Sequence, residues 1–231
     1  MKKLTRFLPL LLFLLAFSAR IIPGPRTIDD AYITFRYAQN ILAGEGFVYN
    51  PGEPILGTTT PLYTLIMVLL GAVSGGMQAP FPDLAVFVNG LADGLTAILL
   101  YLIGKHFQKN IAGVGAALAW SIAPYSVTFA IGGLETSLVV LLLVGMSYFY
   151  LTKKITIAAF LGSLALLTRP DTILLIGLIA LDHFIRVLKK QQKLYWYDLA
   201  ALLLLPLIWY SFATLQFGSP IPHSVQAKLG A

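Results

Sequence analysis

The 231-residue chain has no cysteine, and only 11% of its residues are charged. The missing thiol excludes disulfide frameworks, thiolate metal sites and a cysteine nucleophile. The scarcity of charge excludes a water-soluble core of this size, since soluble domains carry roughly 25% charged residues. Apolar sequence takes the place of charge. The chain is 58% hydrophobic with a mean hydropathy of +0.81, which is the composition of a polytopic membrane protein. Its net charge of +6 would suit nucleic acid only if the basic residues were gathered on one face. They stand singly or in short clusters between apolar runs, so no nucleic-acid partner is expected. No phosphate-binding glycine loop or nucleotide fingerprint occurs, which disfavours a nucleotide sugar or ATP as direct substrate.

Eight uncharged or nearly uncharged stretches approach the roughly 20 residues that cross a bilayer: Phe7 to Ala19, Pro61 to Pro82, Leu84 to Gly104, Ile111 to Leu134, Thr136 to Thr152, Ile155 to Thr168, Pro170 to Leu188 and Leu199 to Phe217. Arg6 and Arg20 flank the first and can snorkel outward. That stretch reads as a signal anchor or a cleavable signal peptide, and Phe17-Ser18-Ala19 lacks the small-x-small cleavage pattern. Cytoplasmic loops should hold the excess of Lys and Arg. Eight alternating spans put only Lys2, Lys3, Arg6, Arg169 and Lys228 inside, five of the sixteen basic residues. If residues 61–82 instead form a re-entrant or interfacial helix, Lys2, Lys3, Arg6, Lys105, Lys109, Lys153, Lys154, Arg186, Lys189, Lys190 and Lys193 lie inside, eleven of the sixteen. The expected fold is therefore an all-α membrane protein of about seven transmembrane helices. An outer interfacial or re-entrant helix opens at Pro61, and an amphipathic helix occupies the first outer loop, residues 20–60.

Charges inside the spans are few. Asp93, four residues after Asn89, lies mid-span, where an ionisable group needs a partner or a cavity; structural and functional roles both remain open. Asp182 and Arg186 share a helix face and read as a neutralised pair. Gly90-x-x-x-Gly94 and Gly71-x-x-x-Gly75 allow close helix approach. In the first outer loop, TIDDAYITFRYAQNILAGEG carries an apolar stripe of Ile28, Tyr32, Phe35 and Leu42, with Thr27 as N-cap and Gly44 as the stop. Asp29 and Asp30 complement the dipole of such a helix, yet two adjacent carboxylates project in different directions, so one is free to face the membrane surface. Asn50-Pro51-Gly52 marks a bend. The outer side would offer Arg20, Arg26, Arg36, Arg169, Lys228 and His223 to a phosphate. Arg169 is the most constrained of these, with Asp171 as its structural partner.

DDAYITFRYAQNILAGEGFVYNPGE, TTTPLYT, GLET at 133–136, TRPD at 168–171 and GSPIPHSVQAK at 218–228 occur in this order. In combination the chain resembles the N-terminal module of a GT-C superfamily membrane glycosyltransferase, in the bacterial terminal arabinofuranosyltransferase and mannosyltransferase branch. The resemblance covers roughly residues 20 to 231, and where relatives carry Pro-Asn-Thr this chain has Pro222-His223-Ser224. It implies a polyprenyl-monophosphate sugar donor, a glycan, lipid or protein acceptor of the cell envelope, and inverting transfer on the extracytoplasmic side of the plasma or inner membrane. It places the catalytic acid at Asp29 and Asp30, with Asp29 as general base and Asp30 orienting it or contacting sugar hydroxyls. Arg169, Lys228 and His223 are the expected donor-phosphate residues. Tyr32, Arg36, Tyr49, Thr59 and Glu135 are expected along the substrate groove. No metal ligand set is assigned, and divalent-metal dependence is left open. Relatives continue beyond the last motif, so residues 1–231 are expected to form a single module lacking their C-terminal part. The alternatives are a transporter or flippase with Asp93 in its pathway, and a non-catalytic fragment or assembly subunit.

Overall fold

The computed structural model describes residues 2–222, whose regular secondary structure is all helical, with no strand among them. The helices are α1 (Lys2–Ile21), α2 (Asp29–Leu42), α3 (Pro61–Val73), α4 (Phe81–His106), α5 (Asn110–Ile122), α6 (Pro124–Ile131), α7 (Thr136–Leu151), α8 (Ile155–Thr168), α9 (Ile173–Leu188) and α10 (Trp196–Phe217). His223 and Lys228 lie outside the described residues.

By length and apolarity alone, α4 and α10 can cross a membrane. The apolar run from Ile111 to Leu134, expected as one span, is broken into α5 and α6, which meet at 48° and could together make a third. The break has a local cause. Pro124 offers no N–H and pushes the residue before it out of helix, and Ala123 accordingly sits at φ −59°, ψ 122°. Phe7–Ile21 of α1, and α3, α7 and α8, are shorter apolar helices, so the expected count of seven is not reached on this criterion. α3 starts at Pro61, a residue suited to the first helical turn. It runs beside α2, with Thr60 against Thr34 and Gly71 against Leu42. Phe35 and Ala38 of α2 and Tyr63 and Met67 of α3 close over Phe81 and Ala85 of α4.

Successive hairpins give the bundle two ends. The turns at 107–109, 152–154 and 189–195 share one end, which carries the lysine clusters. The turns at 132–135 and 169–172 share the other, to which α2 and α3 are docked. Close helix approach depends on glycine at Gly90, Gly94 and Gly71, as expected, whereas Gly75 falls beyond the end of α3 in a turn at φ +123°. Phe13 and Phe17 of α1 lie over Gly94 and Gly90, whose added Cβ atoms would meet those rings at 2.6 and 3.1 Å. At the α4–α5 crossing a Cβ on Gly104 would stand 2.4 Å from the Gly113 Cα.

Arg20 does not snorkel outward, nor is it available to a phosphate. It turns into the bundle at 0% exposure, and its Nε donates to Asp93 Oδ2 at 2.7 Å. The rest of its guanidinium donates to Ala16 O, Trp120 O, Ser121 O and Ser126 Oγ. Arg20 thus ties together α1, α4 and the α5–α6 break, while Ser137 Oγ of α7 donates to the same Asp93 oxygen at 3.1 Å. Full burial and these partners give Asp93 a structural role. The pair Asp182–Arg186 is also present, with Arg186 Nε 2.6 Å from Asp182 Oδ2, and the Tyr150 hydroxyl donates to that same oxygen.

Candidate active site

The chain entering α2 is extended and hydrogen-bonds like an edge strand to the end of α6. Arg26 N donates to Ile131 O at 2.8 Å and Ile28 N to Gly132 O at 3.0 Å. This pairing sets where α2 begins. The residue preceding the helix is Ile28, at φ −87°, ψ 147° and without a side-chain cap, so Thr27 is not the N-cap. The C-terminal stop is as expected, with Gly44 at φ +84° donating its N–H to Ile41 O.

The α6–α7 turn beneath α2 is fixed from both sides. Asn89 of α4 donates its amide to Ala130 O at 3.0 Å and Leu134 O at 2.9 Å. The buried Tyr63 hydroxyl donates to Gly133 O at 3.3 Å. A Cβ on Gly132 would stand 2.6 Å from Ile28 Cδ1 and 2.9 Å from Thr128 O, a backbone atom that cannot step aside. Gly133 needs φ +82°. Gly132→Ala is therefore expected to lift the start of α2 from the turn and to destabilise the protein by about 1–3 kcal/mol, as overpacking does. A thermal midpoint equal to the parent's would show that the contact is slack.

Glu135 leaves this turn as the residue preceding α7. It accepts from Arg169 Nη1 at 3.4 Å, with side-chain exposures of 12% for Glu135 and 43% for Arg169. Arg169 also grips Asp171 in a forked pair, Nε to Oδ1 at 3.1 Å and Nη2 to Oδ2 at 2.9 Å. Hydrogen bonding to Asp171 holds the guanidinium firmly protonated. Burial pushes the Glu135 carboxyl above its ordinary 4.5, opposed by its own backbone N–H and by Arg169. Folding thus favours protonated Glu135. That contribution is complete below about pH 4.5 and is lost as pH rises through the raised value. Glu135→Gln should flatten this part of the stability profile, and thermal midpoints across pH 4 to 8 for parent and variant measure it. Parallel profiles would contradict the assignment.

Threonines join α2 to the chain entering α3. Thr34 Oγ1 lies 3.3 Å from Thr60 Oγ1, which lies 3.1 Å from Thr58 Oγ1. Thr59 lines a narrow crevice with Leu166, Pro170, Tyr210 and Pro222. It therefore sits against the residue after Arg169 and at the start of the tail that carries His223. Tyr32, Arg36 and Tyr49 line a different recess of about 250 Å³ on the far side of α2, together with Gln39 and Phe81. Asn40 shapes this recess by donating to Val48 O at 2.8 Å and Tyr49 O at 2.7 Å. Arg36 Nε donates to Tyr49 O at 3.4 Å.

Asp29 and Asp30 open α2, both exposed. Successive helical residues point roughly 100° apart. Asp29 stands in phase with Tyr32 and Arg36, three and seven residues on, and so on the recess side. Asp30 stands in phase with Thr34 and Tyr37, on the threonine side. The site residues thus fall into two groups, with Asp29 in phase with one of them along α2. Glu135, Arg169 and Thr59 lie on one side, and Tyr32, Arg36 and Tyr49 on the other. The threonine ladder, Asn40 and Asn89 were not anticipated as site-shaping residues. Only the run Thr58-Thr59-Thr60 offered a signal, and no periodicity announces its pairing with Thr34. Among the described residues no three ligating side chains converge on a metal-sized point.

No family model matches the chain, and no solved structure matches it. The chain is similar to the terminal β-(1→2)-arabinofuranosyltransferase of Mycobacterium tuberculosis (strain ATCC 25618 / H37Rv), 28% identical over 219 aligned residues, which cover 87% of this chain and 34% of that protein. It spans about a third of the length of the curated relative it matches. The resemblance to a mycobacterial terminal arabinofuranosyltransferase is therefore shown, at modest identity.

Proposed function

We propose that the chain is the N-terminal module of an inverting glycosyltransferase that takes a sugar from a polyprenyl-monophosphate donor to a cell-envelope glycan, lipid or protein on the extracytoplasmic side of the membrane. The observation that carries this reading is the docking of the Asp29–Asp30 turn onto the turn that bears Glu135, which in turn holds Arg169. Carboxylates and a fixed guanidinium at one membrane-facing end are the parts such a transfer needs. The orientation is supported by the lysines at the opposite end, because basic loops stay cytoplasmic.

The acceptor hydroxyl approaches along the recess of Tyr32, Arg36 and Tyr49. Asp29 takes its proton as the oxygen bonds to the anomeric carbon from the side opposite the phosphate. The bond from that carbon to the phosphate oxygen breaks with its electron pair passing to the phosphate, so the anomeric configuration inverts. Asp30 contacts donor sugar hydroxyls on the threonine side. Arg169 stabilises the departing phosphate through the Nη1 and Nη2 hydrogens that Glu135 and Asp171 do not take, its charge being permanent. His223 and Lys228, from the tail that follows Pro222, complete the phosphate site. Glu135 holds the guanidinium in place and Thr59 lines the same wall.

Arg169→Gln is expected to lower kcat/KM for the lipid donor by about 10²-fold or more, the usual cost of losing one donor to developing negative charge. Steady-state transfer with varied donor measures this. An unchanged kcat/KM would remove Arg169 from the phosphate site.

A further inference from the structure

At the lysine end, α7, α8, α9 and α10 leave a chamber of about 280 Å³ between them, lined by Met146, Ala158, Ile176, Ala180, Leu202 and His183. Its wall is hydrocarbon almost throughout. α9 stands off from its neighbours here, and Leu174, Leu178, Leu181 and Leu188 on its far side are exposed as lipid-facing residues are. His183 is the exception in the wall. Only 7% of it is exposed, its Nδ1 pairs with Gln192 Oε1 at 2.6 Å, and its Nε2 has no partner although it is buried. With the amide oxygen accepting from Nδ1–H, Nε2 is left as an acceptor, and a buried acceptor calls for a donor.

A second cavity of about 310 Å³ adjoins the chamber, sharing Ile155 and Asp198 with it. Lys153, Lys154 and Lys193 line it, beside Tyr195 and Tyr197. The three ammonium groups form no ion pair with any described carboxylate. Asp198, the nearest acid in sequence and wall, is occupied by the Thr156 hydroxyl at 2.6 Å and Tyr195 N at 3.3 Å. A hydrocarbon chamber that adjoins an unneutralised cluster of lysines matches a molecule with an apolar tail and an anionic head, the pattern of basic lipid pockets between membrane helices.

We propose that the lysine end is a binding site for one anionic phospholipid, with an acyl chain in the chamber and the phosphate on Lys153, Lys154 and Lys193. A hydroxyl-bearing headgroup or glycerol backbone supplies the donor that His183 Nε2 lacks. The lipid belongs to the leaflet opposite the proposed transfer site. Assigning that leaflet to the cytoplasmic side rests on the orientation proposed above, whereas the binding site itself does not. By filling the gap between α9 and its neighbours the lipid fastens the lysine-end half of α9 to α8 and α10.

The test is native mass spectrometry of the purified chain titrated with phosphatidylglycerol and with phosphatidylcholine. It includes a Lys153→Gln/Lys154→Gln/Lys193→Gln variant, its Lys→Arg counterpart, and Ala180→Phe to fill the chamber. The parent and the arginine variant are expected to retain phosphatidylglycerol, and the glutamine variant to bind it on the order of tenfold or more weaklier, as the loss of several lysine contacts predicts. Ala180→Phe should weaken both lipids. Helical circular dichroism like the parent's keeps each variant interpretable, and the arginine variant supplies a folded control in which the charge persists. Equal retention of the two lipids by the parent, or unchanged binding in the glutamine variant, would overturn the proposal. So would displacement of phosphatidylglycerol by polyprenyl phosphate, which would make this a donor site. The readout is bound lipid, so an error in the transferase reading leaves it unmoved.

Discussion

Replacing Asp29 by asparagine should lower kcat for sugar transfer by about a thousandfold, within the 10²–10⁴ that a positioned general base contributes, while leaving the fold and donor binding intact. Asparagine keeps the size and the helix but cannot take a proton. The side chain is exposed at the start of α2, so the substitution removes no buried contact and should leave the unfolding free energy within about 0.5 kcal/mol of the parent's, as surface changes do. Asp30→Asn should act differently. Its proposed role is contact with the donor sugar, so its loss should raise the donor KM more than it lowers kcat. If Asp30→Asn abolished turnover while Asp29→Asn stayed active, the two roles would have to be exchanged. If neither variant changed the rate, the base would lie elsewhere.

The second large effect concerns stability. Arg20→Met or Asp93→Leu alone should destabilise the protein by about 3–5 kcal/mol, because each leaves the other member of a buried ion pair uncompensated. The double variant should recover much of that loss, since an apolar pair of similar volume avoids burying charge at all. Recovery will be incomplete. Arg20 also satisfies carbonyls at the α5–α6 break, and methionine offers those oxygens no donor. Thermal unfolding in detergent of parent, singles and double forms the cycle. Singles that unfold like the parent would show that the pair is not formed. The pair lies upstream of the site as well, for α6 ends in Ile131, whose carbonyl receives the Arg26 N–H. Loosening the break should therefore disorder the approach to Asp29 before it unfolds the bundle.

The parts of this structure that were legible in the sequence are short-range. Pro61 as a helix start and Gly44 as a stop follow from local backbone preference. Asp182 with Arg186 and Arg169 with Asp171 are within four residues of each other and formed as expected. The gathering of lysines at one end follows from hairpins of apolar runs. Long-range pairs were not legible. Arg20 and Asp93 are 73 residues apart, and nothing local says that an arginine at the end of an apolar run turns inward instead of toward headgroups. Glu135 was expected at the groove and Arg169 at the phosphate, but their contact across 34 residues emerges only when α7 and α8 pack. Thr27 failed as an N-cap because a tertiary pairing, Ile28 N to Gly132 O, decides where the helix starts. The break at Pro124 was readable from the proline, yet the continuous apolarity from Ile111 to Leu134 concealed it. The count of seven spans is not confirmed for a related reason. An apolar run need not be one helix, and the 14 residues of α8 reach only about 21 Å at 1.5 Å per residue, short of a hydrocarbon core of about 30 Å.

The central claim is that the Asp29–Arg169 end transfers a sugar from a lipid monophosphate on the extracytoplasmic face. It is tested most directly by offering radiolabelled polyprenyl-monophosphate sugars to right-side-out and inverted membrane vesicles, from cells carrying the gene at its own locus in parent or Asp29→Asn form. Gene-dependent transfer from a lipid-monophosphate donor to an acceptor on the outer face, absent with Asp29→Asn, is the predicted result. Transfer that requires a nucleotide sugar at the cytoplasmic face, or that is equal in parent and variant, would contradict it.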